Sequence, residues 1–143
     1  MTAKEYLSKV FTIDDKIKTK IEYLDSLNDL ARKCTTAYSN MPKVKSNGTS
    51  SLEDTVIKII TAQNEINEEI DRLVDLKNEI AEIISLVGDE SQRLLLEKRY
   101  LCGKSWRLIE GEMHYSPSRA KQIHAKALNS VDFLLKFKKS DQK

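Results

Sequence analysis

The sequence predicts an all-α protein, a long antiparallel helical hairpin with coiled-coil character followed by a C-terminal module of three short helices in helix-turn-helix form. Three observations lead there. The 143 residues include only four glycines and two prolines, too few breakers for the many turns of a sandwich or barrel. Apolar residues recur at spacings of three and four over most of the chain, the period of helices that each bury one face. Only the C-terminal third is cut into short pieces, by Gly88, Gly103, Pro117 and the cap residues around them.

The first helix is predicted from Lys4 to Cys34, with Tyr6, Val10, Ile13, Ile17, Leu24, Leu27 and Ala31 along one face. Thr35 to Ser51 carries the densest turn formers in the chain, so 35–51 reads as a mobile loop. From Leu52 the heptad becomes regular. One seam position holds Val56, Gln63, Ile70, Lys77 and Ile84; the other holds Leu52, Ile59, Ile66, Leu73, Ile80 and Val87. Ser51 is the predicted N-cap of this helix and Gly88 its stop. Ile60, Val74 and Ala81 flank one side of the seam, and Ala62, Leu76 and Ile83 the other, so the stripe is too wide for one partner helix. The first helix folded back can cover part of it. A second chain covering the rest gives a homodimer, with Val56, Ile59, Ile66, Ile70, Leu73, Ile80 and Ile84 as the oligomerisation residues. The alternative is a monomer in which the C-terminal module covers the remainder. Residues 1–88 then form the oligomerisation arm and 89–143 a separate domain.

Within 89–143, Asp89-Glu90-Ser91 precedes a helix from Gln92 to Leu101, which Gly103 ends in the left-handed conformation. Ser105 caps a second helix from Trp106 to about Met113. Ser116 and Pro117 open a third with cap and N1 proline in their preferred places. Only His114-Tyr115 separates the last two helices before the cap. On the third, Ala120, Ile123, Ala127, Val131 and Leu134 share one side and are expected to pack on Leu95, Leu108, Ile109 and Met113. The other side presents Ser118, Gln122, Ala125 and Asn129, with Lys121, Arg119 and Lys126 on its shoulders.

Charge follows the same division. Residues 1–88 hold 12 Lys/Arg against 15 Asp/Glu, and 89–143 hold 12 against 7, so the basic excess lies in the short-helix module. A polyanion is the natural partner of such a surface, and a solvated cationic face is the plain alternative. A narrow, polar, basic helix face suits the DNA major groove. Ser118, Lys121, Gln122 and Ala125 are the predicted base contacts: Gln bonds adenine, Lys reaches guanine and Ala leaves room for a thymine methyl. Lys104, Arg107, Arg119 and Lys126 are the predicted contacts to the phosphate backbone.

The stretch from Ser105 to Leu128, ending Arg119-Ala-Lys-Gln-Ile-His-Ala-Lys-Ala-Leu128, resembles region 4 of the sigma-70 factors, as does Leu94 to Trp106 ahead of it. The resemblance covers about 40 residues and implies promoter-type duplex binding, with Lys121 and Gln122 at base-contacting positions and a contact to RNA polymerase. Ser118 and Pro117 stand where the family often has Glu and Arg, so its DNA sequence preference does not carry over. No aromatic-rich promoter-melting region precedes the module. A coiled-coil arm ahead of such a module resembles small phage and prophage transcription regulators of the ArpU and RinA type.

Other classes find less in the sequence. No paired nucleophile and base, phosphate-cradling glycine loop or H-E-x-x-H motif is present, so no enzyme, cofactor or metal is expected. His114 and His124 have no Cys or carboxylate at ligand spacing, and His124 is expected near the DNA backbone or in solvent. Cys34 and Cys102 read as buried or incidental thiols. With no apolar signal core and no membrane-length apolar run, a cytoplasmic protein is expected. Two further functions stay open: a DNA-packaging recognition subunit resembling the small terminase type, and a protein-binding coiled-coil adaptor.

Overall fold

The structure, a computed structural model, describes the backbone of residues 1–40 and 47–141 and the side chains of 1–33 and 51–139. Among these residues all regular structure is helical, as predicted. The elements are α1 (Ala3–Asn40), α2 (Asn47–Ser85), α3 (Glu90–Leu96), a π-helical continuation of α3 (Glu97–Leu101), α4 (Trp106–Met113) and α5 (Pro117–Asp141).

The long helices are longer than their patterns suggest. α1 runs past Cys34 to Asn40 and α2 begins at Asn47, so the loop predicted over 35–51 is helical at both ends; 41–46 lie outside the described residues. Ser, Thr and Asn cost a helix only a few tenths of a kcal/mol each, which neighbouring turns readily offset, and the first proline comes at Pro42. Ser51 is accordingly inside α2, where its carbonyl accepts the Thr55 hydroxyl (2.9 Å). At the start of α1 a capping box closes the free amides: the Glu5 amide donates to Thr2 Oγ1 (3.2 Å) and the Thr2 amide to Glu5 Oε2 (3.1 Å). α2 ends at Ser85, and the Leu86 and Val87 amides turn back onto Ile83 and Ile84 carbonyls.

The described chain forms two compact units, Met1–Thr12 with Leu73–Lys143, and Ile13–Arg72. The division predicted after Gly88 therefore falls elsewhere. In the first unit the start of α1 and the end of α2 share one core with the short helices. Ala3, Leu7 and Val10 pack with Ile80, Ile83, Ile84 and Val87, and with Leu96, Tyr100, Ala127 and Val131. A smaller cluster of Leu95, Ile109 and Ile123, edged by Trp106, Met113 and Tyr115, joins α3, α4 and α5. Two bonds reinforce the start of α1: the Ala3 amide donates to Asp132 Oδ1 (2.6 Å) and the Tyr6 hydroxyl to Glu79 (3.2 Å).

In the second unit Ile17, Leu27, Ala62 and Ile66 are buried, with Thr55 and Glu69. Lys20 pairs with Glu65 (2.9 Å) and Arg72 with Glu69 (2.8 Å). Buried Thr55, Ala62 and Glu69 lie on the Ala62 flank of the seam, so this side of α2 is turned inward. Val56 (43%), Ile57 (60%), Ile60 (52%) and Ile70 (41%) are left exposed.

This corrects the set of oligomerisation residues. Ile80 and Ile84 are fully buried in the first unit's own core and Ile66 is buried in the second, so none of the three is available to a partner. Ile59 and Leu73 are half-buried, and of the predicted set only Val56 and Ile70 stand exposed. The wide stripe has two sides, and the fold of a single chain consumes one of them.

The first turns of α1 are thus part of the short-helix unit's core. Truncating Leu7→Ala should cost about 2–5 kcal/mol of unfolding free energy in urea titrations, the range for a fully buried leucine. Ile57→Ala, at an exposed position, should change it by less than about 0.5 kcal/mol. A Leu7→Ala variant as stable as the parent would show that α1 does not belong to that core.

Candidate nucleic-acid interface

The presentation of α5 begins with its caps. Gly103 takes φ 68°, a left-handed conformation that glycine enters without strain, and releases the chain from the π-helical turn. Ser105 then caps α4, its hydroxyl accepting the Leu108 amide (3.3 Å). α4 stops at His114, which holds φ 58° and ψ 41°, and the Tyr115 amide returns to the Glu110 carbonyl (3.0 Å). Ser116 accepts the Arg119 amide (3.1 Å) ahead of Pro117. Three residues, all backbone-determined, therefore fix how α5 leaves α4.

Burial around α5 follows the expected period. Ala120, Ile123, Ala127 and Val131 are buried and Leu134 half-buried, so the back of the helix is fixed to the unit. Leu95, Ile109 and Met113 meet it as predicted, but Leu108 is 50% exposed. α4 is a short helix that turns only one side inward, and Ile109 occupies it.

Ser118, Lys121, Gln122 and Ala125 are all exposed on the front of α5, as are Arg119, Lys126 and Asn129. No Asp or Glu occurs from Pro117 to Val131. Arg119, Lys121 and Lys126 form no ion pair among the described residues. The nearest carboxylate in sequence, Asp132, is tied to the α1 start. The front therefore offers three unneutralised cations, one amide and two small side chains on a rigid support.

The predicted backbone contacts divide. Arg107, Arg119 and Lys126 are exposed. Lys104 is not free: its ammonium bonds both oxygens of Glu112 (2.6 and 2.9 Å), and Lys98 bonds the same carboxylate (2.9 Å). Those two lysines hold the Glu112 carboxyl below the usual carboxylate range, hydrogen bonding to Lys104 contributing most. The sequence shows the three residues but not that they converge.

His124 is also placed otherwise than expected. It is half-buried, and a hydrogen bond joins its Nε2 to the Tyr100 hydroxyl (2.8 Å). Its ring lies edge-on to Trp106, with centroids 4.6 Å apart. Burial, then the positive charges of Arg99 and Lys4, push its pKa down from 6.5 to about 4, so at neutral pH it adds no charge. Burial also raises the Tyr100 phenol. The Arg99 guanidinium stacks on Phe11 (4.7 Å) and Trp106 (5.0 Å) and donates to the Lys104 carbonyl (3.0 Å). Trp106 is thus a packing residue, as predicted, but its partners come from α1 and the π-helical turn.

Cys102 is an exposed free thiol, while the Cys34 side chain lies outside the described residues. Among the described residues no group of three His, Cys, Asp or Glu could hold a metal ion. None of the described helices is long and apolar enough to cross a membrane. No protein family, curated protein or solved structure matches the chain.

His124 makes stability depend on pH in a definite direction. Folded His124 takes up its proton near pH 4 and the unfolded residue near 6.5. Between these values the unfolded chain binds more protons, so this contribution is intact above pH 6.5 and is lost as pH falls toward 4. The melting temperature should therefore drop more steeply from pH 7 to 4 in the parent than in His124→Gln. Parallel curves would show that the folded protein tolerates the charged imidazole.

Proposed function

We propose that the protein is a sequence-specific double-stranded DNA-binding transcription regulator of phage or prophage origin, working in the cytoplasm as a homodimer and without enzymatic activity. The observation that carries this reading is the front of α5: exposed, free of carboxylates, cationic, and fixed from behind by a buried apolar side. Such a face suits a groove lined by phosphates. Gln122 can bond adenine through two hydrogen bonds, Lys121 can reach guanine, and Ala125 leaves space for a thymine methyl. Arg107, Arg119 and Lys126 are placed as phosphate contacts that set register. With Lys104 held by Glu112, its part in phosphate binding is the smallest of the four.

The tight α4–α5 connection supports a helix-turn-helix, and the likeness of Ser105–Leu128 to sigma region 4 supports promoter DNA and RNA polymerase as targets. Homodimerisation is supported by the exposed Val56, Ile57, Ile60 and Ile70 of the second unit. Four large aliphatic side chains within four turns of one helix exceed the scattered apolar exposure of an ordinary surface.

Selection from random duplexes at two salt concentrations tests the reading. A motif should emerge, and the logarithm of affinity should fall linearly with the logarithm of salt, in proportion to the phosphates contacted. Lys121→Glu should abolish duplex binding with circular dichroism unchanged. Gln122→Ala should relax preference at one base pair at a cost of about 1–3 kcal/mol. If no duplex binds even at low salt, the proposal fails and the protein-adaptor reading takes its place. In light scattering the parent should run as a dimer and Ile57→Glu/Ile60→Glu as a monomer. A ring of eight to ten chains, roughly the size expected of a packaging recognition subunit, would instead favour DNA packaging.

A further inference from the structure

Beside the start of α5 the first unit holds a half-open cleft of about 420 Å³, closed on one side by α1 and on the other by the π-helical turn and α4. Protein interiors are packed closely enough that a space of this size falls in the range of small-molecule sites. Its walls combine two kinds of chemistry. Phe11 and Trp106 supply aromatic surface, while Lys4, Arg99 and Lys121 supply three cations against the single carboxylate of Glu110.

These cations are available to a ligand. Lys4 and Lys121 make no ion pair among the described residues. Arg99 has five N–H donors and commits one bond, to the Lys104 carbonyl, while its two faces are held by the rings. A guanidinium so stacked is fixed in orientation before any ligand arrives, which lowers the entropic cost of binding an anion. His124 at the cleft is held neutral and partnered with Tyr100, so it neither repels nor strongly attracts the ligand.

We propose that this cleft binds a small planar aryl carboxylate, its ring against the aromatic wall and its carboxylate met by Lys4, Arg99 and Lys121. Lys121 belongs to the cleft and to the front of α5 alike. A bound carboxylate therefore draws that amine away from a duplex and lowers DNA affinity. This second step rests on the DNA-binding reading, whereas the binding site itself does not.

Trp106 is the only tryptophan, so one indole N–H resonance reports on the cleft in a 15N-labelled sample of the full chain. Titration with 2-naphthoate should move it saturably, and the neutral 2-naphthamide should bind at least about tenfold more weakly. Ser8→Phe, which fills the cleft from α1, and Lys4→Glu should each weaken naphthoate about tenfold with melting temperature unchanged. Should Ser8→Phe disturb folding, Lys4→Glu carries the comparison alone. Saturating naphthoate should lower parent affinity for a selected duplex several-fold and leave Ser8→Phe unaffected. An indole resonance that stays still up to about 5 mM, or equal binding of acid and amide, would overturn the site. Full occupancy with unchanged duplex affinity would overturn the coupling. Selective naphthoate binding by a chain that binds no duplex would sink the DNA reading and leave the cleft standing.

Discussion

Burial of the back of α5 is the constraint on which the rest of the short-helix unit depends. Ala120, Ile123, Ala127 and Val131 face two clusters, one built by α3 and α4 and the other by the ends of α1 and α2. Small alanines alternate with branched residues, so helices can approach closely along one stretch and interlock along the next. Each fully buried branched side chain contributes roughly 1.5–3 kcal/mol relative to exposure. With its inner surface held this way, α5 can keep a row of cations on its outer surface at the modest cost of their mutual repulsion in water.

The placement of charge follows from that arrangement. Where cations and carboxylates meet, at Lys98, Lys104 and Glu112, they neutralise one another beside α4. Where a titratable ring is half-buried, at His124, it is kept neutral. What remains positive is concentrated on α5 and in the adjoining cleft. A net charge of +2 for the whole chain conceals this, since the surplus is local and the acidic residues lie mainly in the two long helices.

Much of the fold was legible in the chain because caps and periodicity are local. Asp89, Ser105, Gly103 and Ser116-Pro117 each announced a helix end, and each acts there: Asp89 accepts the Gln92 amide (2.9 Å) ahead of α3, where the sequence reading had the helix begin at Gln92. The inward and outward sides of α5 followed from its 3.6-residue period. What stayed hidden was the choice between two equally apolar sides of α2, because burial of the Ala62 flank instead of the Val56 seam is a tertiary decision. The same holds for Leu7 and Phe11: periodicity marks them as apolar, but nothing local joins them to residues some ninety positions away. The Thr2-x-x-Glu5 capping box was present in the sequence and was the one local signal overlooked there. At the candidate site, exposure of Lys121 and Gln122 was foreseeable, whereas the withdrawal of Lys104 and His124 required the convergence of separate helices.

The π-helical turn from Glu97 to Leu101 has a consequence for how this chain can vary. Such a turn carries one residue beyond what α-helical winding needs, seen here in the Cys102 amide reaching back to the Glu97 carbonyl (3.0 Å). Removing a single residue from it would let the helix relax into regular winding, yet everything downstream would swing by roughly 100° about the axis. Tyr100 would leave the interior, and Arg99 would part from its two rings. Length is thus as strictly fixed in this turn as residue type, and kindred chains should accept many substitutions there before they accept one gap.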